Sequence, residues 1–593
     1  MDIDESDHEL EDESVFMMAY CDFLNRLVNF QFISLSAVNQ ISTEYLKNYS
    51  RSNNVKIKSL RKSLMENVPE ISELQMEKIL NDVENNDPFL QAQHALDTEH
   101  KRSKYLKSHF LYIEPIEHIL NQKAWKEKRE SKASFYHIPV DETIKCIAQD
   151  TTFMSMTDSG YYVNEHSDGL YHDIKDGAVY KNSSYFNRYP DAFVLMMYSD
   201  GVELVNPLGA SRGKNKVINI FLTLADIPKS QRSKIDRIFL VAVVREKLAK
   251  KFGLHAIFKP IIDGLKRVEE GVTVYHPYER IIRGSLLLYP ADNLESHIVG
   301  GFSQSFSSGY VCRFCHIKYT DLQSNIHDYG DIQHEKWTES DYDRVAVIAH
   351  HKQEQLRKEQ YQGYYTSESE YSDEDETLEE ESNLYGVKDM CPLNSLRAFH
   401  CTRSLPVDMM HDLFEGQVSQ DLLGVLKILK SKNWFSIEQY NEKLNSFKFK
   451  GCDTTDRPQA VPLASNAKKL IGKAMSIWVH VRNFPFLIRN FVQDFDEPAL
   501  VLGLKLHELV ERITAPIFRE YEINVLEEKI IEYCDYRKLQ CQEYLSYLGK
   551  AMPKTHNLTH YASNILNFGP PINFWTARFE SRHRIAKNLA ESG

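Results

Sequence analysis

Apolar positions along the chain change their period twice, and those changes divide it. From Val15 to about Gln122 they recur at helical spacing, as Phe16, Tyr20, Phe23, Leu24 and Leu27, and again between Ile71 and Val83. A charged connector, Ala124 to Ser134, follows. From Asp191 the apolar residues form short continuous runs instead. Ala192–Asp200, Lys216–Ile227, Ile235–Val244 and Ser285–Tyr289 read as buried strands, with turn residues Asn206, Pro207 and Gly209 between the first two. Ala256–Glu270 reads as an amphipathic helix, with Ile257, Ile261, Ile262 and Leu265 on one face. The predicted order is β-β-β-α-β. Beyond Cys315 helical spacing returns in Ser465–Val492, Glu497–Phe518 and Tyr521–Leu548, with Pro485 and Pro516 as kinks or stops. Gly569-Pro570-Pro571 breaks the chain, and Asn573–Lys587 reads as a last helix.

This pattern predicts an α+β protein. An N-terminal helical domain spans 15–134, and a sheet-bearing core spans 135–315. A mainly helical segment covers 316–555, and 556–593 carries the terminal helix. At 593 residues the chain exceeds what one core supports. No apolar run approaches the ~18 residues of a membrane span, and the acidic start is unlike a secretory signal. Nine cysteines without a framework favour a reducing compartment.

Charge changes the picture once it is located. Residues 1–14 hold eight acids and 367–383 hold nine, neither with a Lys or Arg. Without those seventeen charges the net −13 becomes +4, so the rest of the chain is mildly basic and compatible with a phosphate-bearing partner. The tail 1–14 and the loop 366–383 are expected to be solvated, disordered chain.

The candidate chemistry lies at strand ends. Asp200 closes the first apolar run and Asp292 follows the fourth, where open α/β sheets hold ligands. Placing the fourth strand beside the first would join the two acids. A third acid from a later helix would complete a site for two hard cations ~4 Å apart. Oxygen donors with open positions suit Mg²⁺. A lone strand-end Asp is as readily a turn former or helix cap, so the pair carries this reading. Gly209–Lys214 is one residue short of a phosphate-binding loop and sits between strands, which excludes that function. Neither a G-x-S-x-G elbow nor an H-E-x-x-H zinc motif occurs, and no small-molecule substrate is indicated.

Cys312-x-x-Cys315 is half of a tetrahedral zinc site. His556 and His560, one helical turn apart on the same face, offer two more donors. His316 and the pair Asp408 and His411 are rival ligands. The alternatives are a buried reduced Cys pair and a merely polar helix face.

Several separated segments, in order, carry a family resemblance. They are ALDTEHKRSKYL from Ala95, YSDGVELVNPLGASRGKNKVINIFLTLADIPKSQRSKI, YPADNLESHIVGGFSQSFSSGYVCRFC, FHCTRSLPVDMMHDLFEG (Phe399–Gly416) and FWTARFESRHRIAK. Together they resemble CACTA-type (En/Spm-like) transposases of animal genomes, from about Ala95 almost to the last residue. The resemblance implies a ribonuclease H-like mixed-sheet core interrupted by a large helical insertion. It implies Asp200, Asp292 and Glu580 as the acids holding two Mg²⁺ (or Mn²⁺) ions. The alternative for Glu580 is a helix-surface salt bridge with Arg578, Arg582 or Arg584, in which case Glu415 is the next candidate for the third acid. Asp408-x-x-His411 matches the family's D-x-x-H signature, expected to be structural or metal-related. The placement of Cys312, Cys315, His556 and His560 around the second and third acids resembles the structural zinc site of the antibody-gene recombinase. The implied activity is metal-dependent DNA cleavage and strand transfer in the nucleus, on transposon ends and target DNA, by a self-associating protein. A domesticated or decaying relative would keep the fold as an inert DNA-binding or interaction module.

Overall fold

The computed structural model describes residues 17–18, 20–21, 35–85, 87–109, 112–157, 169–203, 216–275, 277–322, 335–362, 385–462 and 466–582. Both acidic runs, 1–14 and 366–383, lie outside the described residues. The chain divides into two units, residues 1–116, 202–217 and 581–593 in one and 117–201 and 218–580 in the other.

The smaller unit is helical where it is described at length. Its helices are α1 (Leu35–Asn67), α2 (Glu73–Asn85), α3 (Pro88–Ala95) and α4 (Glu99–His109). A small core of Tyr20, Cys21, Ala92 and Leu96 is buried within it.

The larger unit is built on a mixed sheet. Its strands are β1 (Ile116–Ile119), β2 (Ser134–His137), β3 (Leu170–Tyr171), β4 (Phe193–Glu203), β5 (Lys216–Leu224), β6 (Phe239–Arg245), β7 (Val272–Val274), β8 (Arg280–Ile282), β9 (Gly284–Leu288) and β10 (Phe518–Arg519). Six of them form one sheet in the order β1-β2-β6-β5-β4-β9. β2 runs antiparallel to β6, whereas β4 and β9 are parallel. Phe193 to Tyr198 and every residue of β9 are buried, which is why these strands read as unbroken apolar runs rather than alternating ones.

Three sequence expectations need correction. Residues 15–122 are not helical throughout, because Ile116–Ile119 is a strand, and Ser134–His137 joins the same sheet edge. Both are four residues long and mix polar with apolar positions, so neither leaves a periodic signal. A hairpin, β7–β8, also intervenes between the core helix and β9.

Helix α5 (Val140–Gln149) and helix α6 (Leu254–Glu270) pack together, and α6 also covers β9. The sheet core joins Leu195, Leu222, Val241 and Leu286 to Ile257, Ile261 and Leu265 of α6. Each such side chain contributes roughly 1.5–3 kcal/mol by leaving water. Beyond β9 come α7 (Asn293–Val299), α8 (Glu339–Gln362), α9 (Val418–Ser431), α10 (Ala474–Ile488), α11 (Pro498–Ile513), α12 (Glu520–Leu539) and α13 (Tyr561–Phe568). Helices α9 to α13 share a second core that includes Leu422, Leu426, Val481, Leu506, Leu526 and Ile565. Pro485 lies inside α10, which runs on to Ile488, whereas α11 stops three residues short of Pro516. Residues 577–582 are helical, but Pro571–Asn573 is a 3₁₀ turn, so the last helix starts later than its sequence suggests. No described helix is long and apolar enough to cross a membrane.

Candidate functional site

The parallel register of β4 and β9 delivers two acids to one end of the sheet. Met196 pairs with Leu288, and Asp200 and Asp292 each stand four residues beyond that pair. Asp200 lies inside its strand rather than at the end, since β4 continues to Glu203. Asp292 follows the turn Pro290-Ala291 and caps α7, its Oδ1 accepting the Glu295 N–H at 2.6 Å. Ser199, beside Asp200, donates its hydroxyl to the Glu295 carboxylate and so ties β4 to α7. Glu295 is a fourth acid at this edge that the sequence reading missed.

Glu580 arrives on the short helix at 577–582. Its neighbour Phe579 stacks on Tyr198 of β4 with ring centroids 4.9 Å apart, which lays this helix beside Asp200. Asp292 and Glu580 act on Asp200. Burial raises the Asp200 pKa, and the negative charges of Glu580 and Asp292 raise it further, to about 6. The Gly201 N–H, 2.6 Å from Asp200 Oδ1, and nearby His411 act in the opposite sense.

The Asp408-x-x-His411 pair has a definite place here. Asp408 accepts the Thr576 backbone N–H at 2.9 Å and its hydroxyl at 2.8 Å. It also holds His411 Nδ1 at 2.5 Å, and His411 Nε2 lies 2.9 Å from Glu580 Oε1. Asp408, His411 and Glu580 thus form a chain that ends at the third acid. Burial opposes charge on Asp408, but its bonds to His411 and Thr576 keep its pKa below the usual carboxylate range. Burial likewise opposes protonation of His411, yet the two flanking carboxylates raise its pKa well above the ordinary imidazole value. His411 belongs to a π-helical turn, Met410–Gln417, a geometry frequent at functional sites. Glu415, the reserve candidate, is exposed on that turn.

Cys312, Cys315, His556 and His560 converge in the interior, all at most 4% exposed. Cys312 Sγ lies 3.4 Å from His560 Nε2, Cys315 Sγ lies 3.2 Å from His556 Nε2, and the two imidazole nitrogens are 3.0 Å apart. A shared zinc ion, with bonds of about 2.0–2.3 Å, sets such donors ~3.4–3.8 Å apart, so the cluster could bind zinc with sub-ångström adjustment. The Phe314 N–H donates to Cys312 Sγ at 3.3 Å. Burial raises the Cys312 pKa, but Cys315 and the two histidines more than reverse this, so it lies well below the usual thiol value. The rival ligands lie elsewhere. His316 packs against Trp337 and Tyr385 and pairs with Glu335, while Asp408 and His411 serve Glu580.

Two side chains link this cluster to the acids. Arg313, between the cysteines, donates to Asn293 Oδ1 at 2.6 Å. Asn557, following His556, donates to Asp412 Oδ1 at 3.0 Å and to Asn293 Oδ1 at 3.4 Å. Asn293 adjoins Asp292, and Asp412 adjoins His411. Compared with protein-family models and with curated proteins, the chain matches none.

Proposed function

We propose that this chain is a DNA transposase-like protein, a metal-dependent nuclease and strand transferase with a ribonuclease H-like core. One observation carries the reading: carboxylates from β4, the segment after β9 and the helix at 577–582 converge on one site, where burial first and then the charges of Glu580 and Asp292 raise the Asp200 pKa to about 6. Carboxylates gathered at a sheet edge against their own repulsion fit a site made for hard cations. The β4, β5, β6 and β9 arrangement, with β9 parallel to β4, suits the fold. A phosphate-bearing partner suits the helical region, where a cleft of about 950 Å³ is lined by Lys427, Lys430, Lys468 and Lys550 and by no carboxylate among the described residues.

Two Mg²⁺ or Mn²⁺ ions, when bound, would activate the attacking water or 3′ hydroxyl and stabilise the leaving oxygen. Asp200, Asp292 and Glu580 would hold them. His411 orients Glu580, Asp408 fixes the His411 ring, and Thr576 fixes Asp408. Zinc at Cys312, Cys315, His556 and His560 would fasten the segment before Glu580 to the segment after Asp292. The expected setting is the nucleus, with self-association on paired DNA ends.

The test is nicking of supercoiled plasmid DNA by the zinc-loaded full chain in Mg²⁺ or Mn²⁺. Cation-dependent nicking that disappears in Asp292→Asn is expected. Equal nicking by Asp292→Asn, or none by the unaltered chain with either cation, would overturn the proposal.

A further inference from the structure

A second group of metal-ligating side chains sits away from both clusters. His255 opens α6, His350 lies in the middle of α8, and Asp389 precedes the 3₁₀ turn at Pro392–Ser395. One donor atom from each lies within 4.8 Å of the others. His350 Nδ1 is 2.7 Å and His255 Nε2 is 3.6 Å from the same oxygen, Asp389 Oδ1, and the two rings are 4.3 Å apart. His255 Nε2 also donates to the Met390 carbonyl oxygen at 2.9 Å, a bond that a cation on this nitrogen would replace.

We propose that His255, His350 and Asp389 form a second divalent-metal site, suited to a borderline transition cation such as zinc, with a position left open to solvent. The donor set is two imidazoles and a carboxylate oxygen, which suits zinc and its neighbours rather than magnesium. Its surroundings resemble those that orient metal ligands. The other oxygen of the carboxylate, Oδ2, is held by Arg357 Nη2 at 2.9 Å, and the other nitrogen of His350 faces Glu354 Oε1 at 3.9 Å. The side chains are 27%, 18% and 21% exposed, which gives a cation a path from water that the buried Cys₂His₂ cluster lacks. A tetrahedral ion would need donors about 3.4 Å apart, so the closest pair must open by less than ~1 Å.

The geometry ties residues distant in sequence. A cation here would join the start of α6, the middle of α8 and the Asp389 turn. This inference does not rest on the transposase reading, because none of its residues contacts the acid cluster in any interaction described above.

Cobalt titration of the metal-free full chain carrying Asp200→Asn and Asp292→Asn tests it, since those substitutions remove the acids as competitors. Two equivalents of Co²⁺ are expected. One gives thiolate-to-metal charge-transfer bands from Cys312 and Cys315, and the other only weak visible bands without sulfur character. Adding His350→Ala, or separately His255→Ala, should remove the second equivalent while the thiolate bands persist and report an intact fold. A single equivalent in the parent, or a second equivalent unchanged in both histidine variants, would overturn the site. Either result would leave nicking of DNA by the unaltered chain to be judged on its own.

Discussion

The Cys₂His₂ cluster and the acid cluster are built from opposite materials. In the first, four donors from two distant segments face one another in a dry interior, and no donor is left pointing at solvent. In the second, three carboxylates of like charge are gathered where Glu580 is still 27% exposed, and His411 supplies a balancing charge. A closed donor set fixes a fold, whereas an open set of carboxylates is the arrangement that would suit hard cations. Arg313 and Asn557 connect the two, so the closed cluster braces the residues beside Asp292 and His411.

The comparison breaks first if the closed cluster is not structural. Structural zinc contributes on the order of 10 kcal/mol in small metal-dependent domains. Cys315→Ser should therefore produce the largest loss of stability of any change considered, with one zinc lost. Hydrogen exchange should rise around 311–322 and 553–568. An unchanged melting curve in Cys315→Ser would remove the distinction between the clusters.

Much of this arrangement could be read from the chain. The runs that became β4 and β9 are buried on both faces, so their hydrophobicity is continuous and their acids stand out. The Cys and His pairs have the spacings that zinc coordination requires, a signal that survives any ignorance of the fold. The short strands β1 and β2, at one side of the sheet, bury too little to leave a pattern. The use of His411 was hidden because its partner Glu580 lies 169 residues away. His255, His350 and Asp389 share no spacing at all, and only the packing of α6 and α8 brings them together.

The next effects fall on chemistry rather than stability. Asp200→Asn should abolish nicking, a loss well beyond the 10–100-fold expected for a supporting residue. Its effect on the metal-free fold should be opposite in sign. The folded-state pKa of Asp200 is raised to about 6, from an ordinary value near 4, so the folded chain binds this proton more tightly than the unfolded one. That contribution is fully present below pH ~4 and is lost as pH rises through about 6, a cost of roughly 3 kcal/mol above that range. Metal-free Asp200→Asn should lose this pH dependence and melt higher than the unaltered chain at neutral pH. Equal pH profiles in chemical denaturation would show that neither burial nor the neighbouring carboxylates raise the Asp200 pKa.

A smaller effect should follow from His411→Ala. With Glu580 no longer held, nicking should fall about 10–100-fold while Mn²⁺ still supports it at higher concentration. His411→Asn, which can still donate to Glu580, should recover part of the loss. If His411→Ala nicks normally, the Asp408–His411–Glu580 chain has no part in the reaction.

The smallest effect separates bracing from coordination. Asn557→Ala removes the bonds to Asp412 and Asn293 without touching a metal ligand. It should cost about 1–3 kcal/mol, retain zinc, and lower nicking only a few-fold. Loss of zinc in this variant would mean the two clusters are one unit.

Manganese titration followed by electron paramagnetic resonance, on the zinc-loaded chain with and without Asp200→Asn and Asp292→Asn, tests the division of labour most directly. The account predicts that the unaltered chain binds Mn²⁺ with loss of the free-ion signal. The double variant should leave that fraction free, and zinc content should be the same in both. Identical Mn²⁺ binding by the two proteins would contradict it.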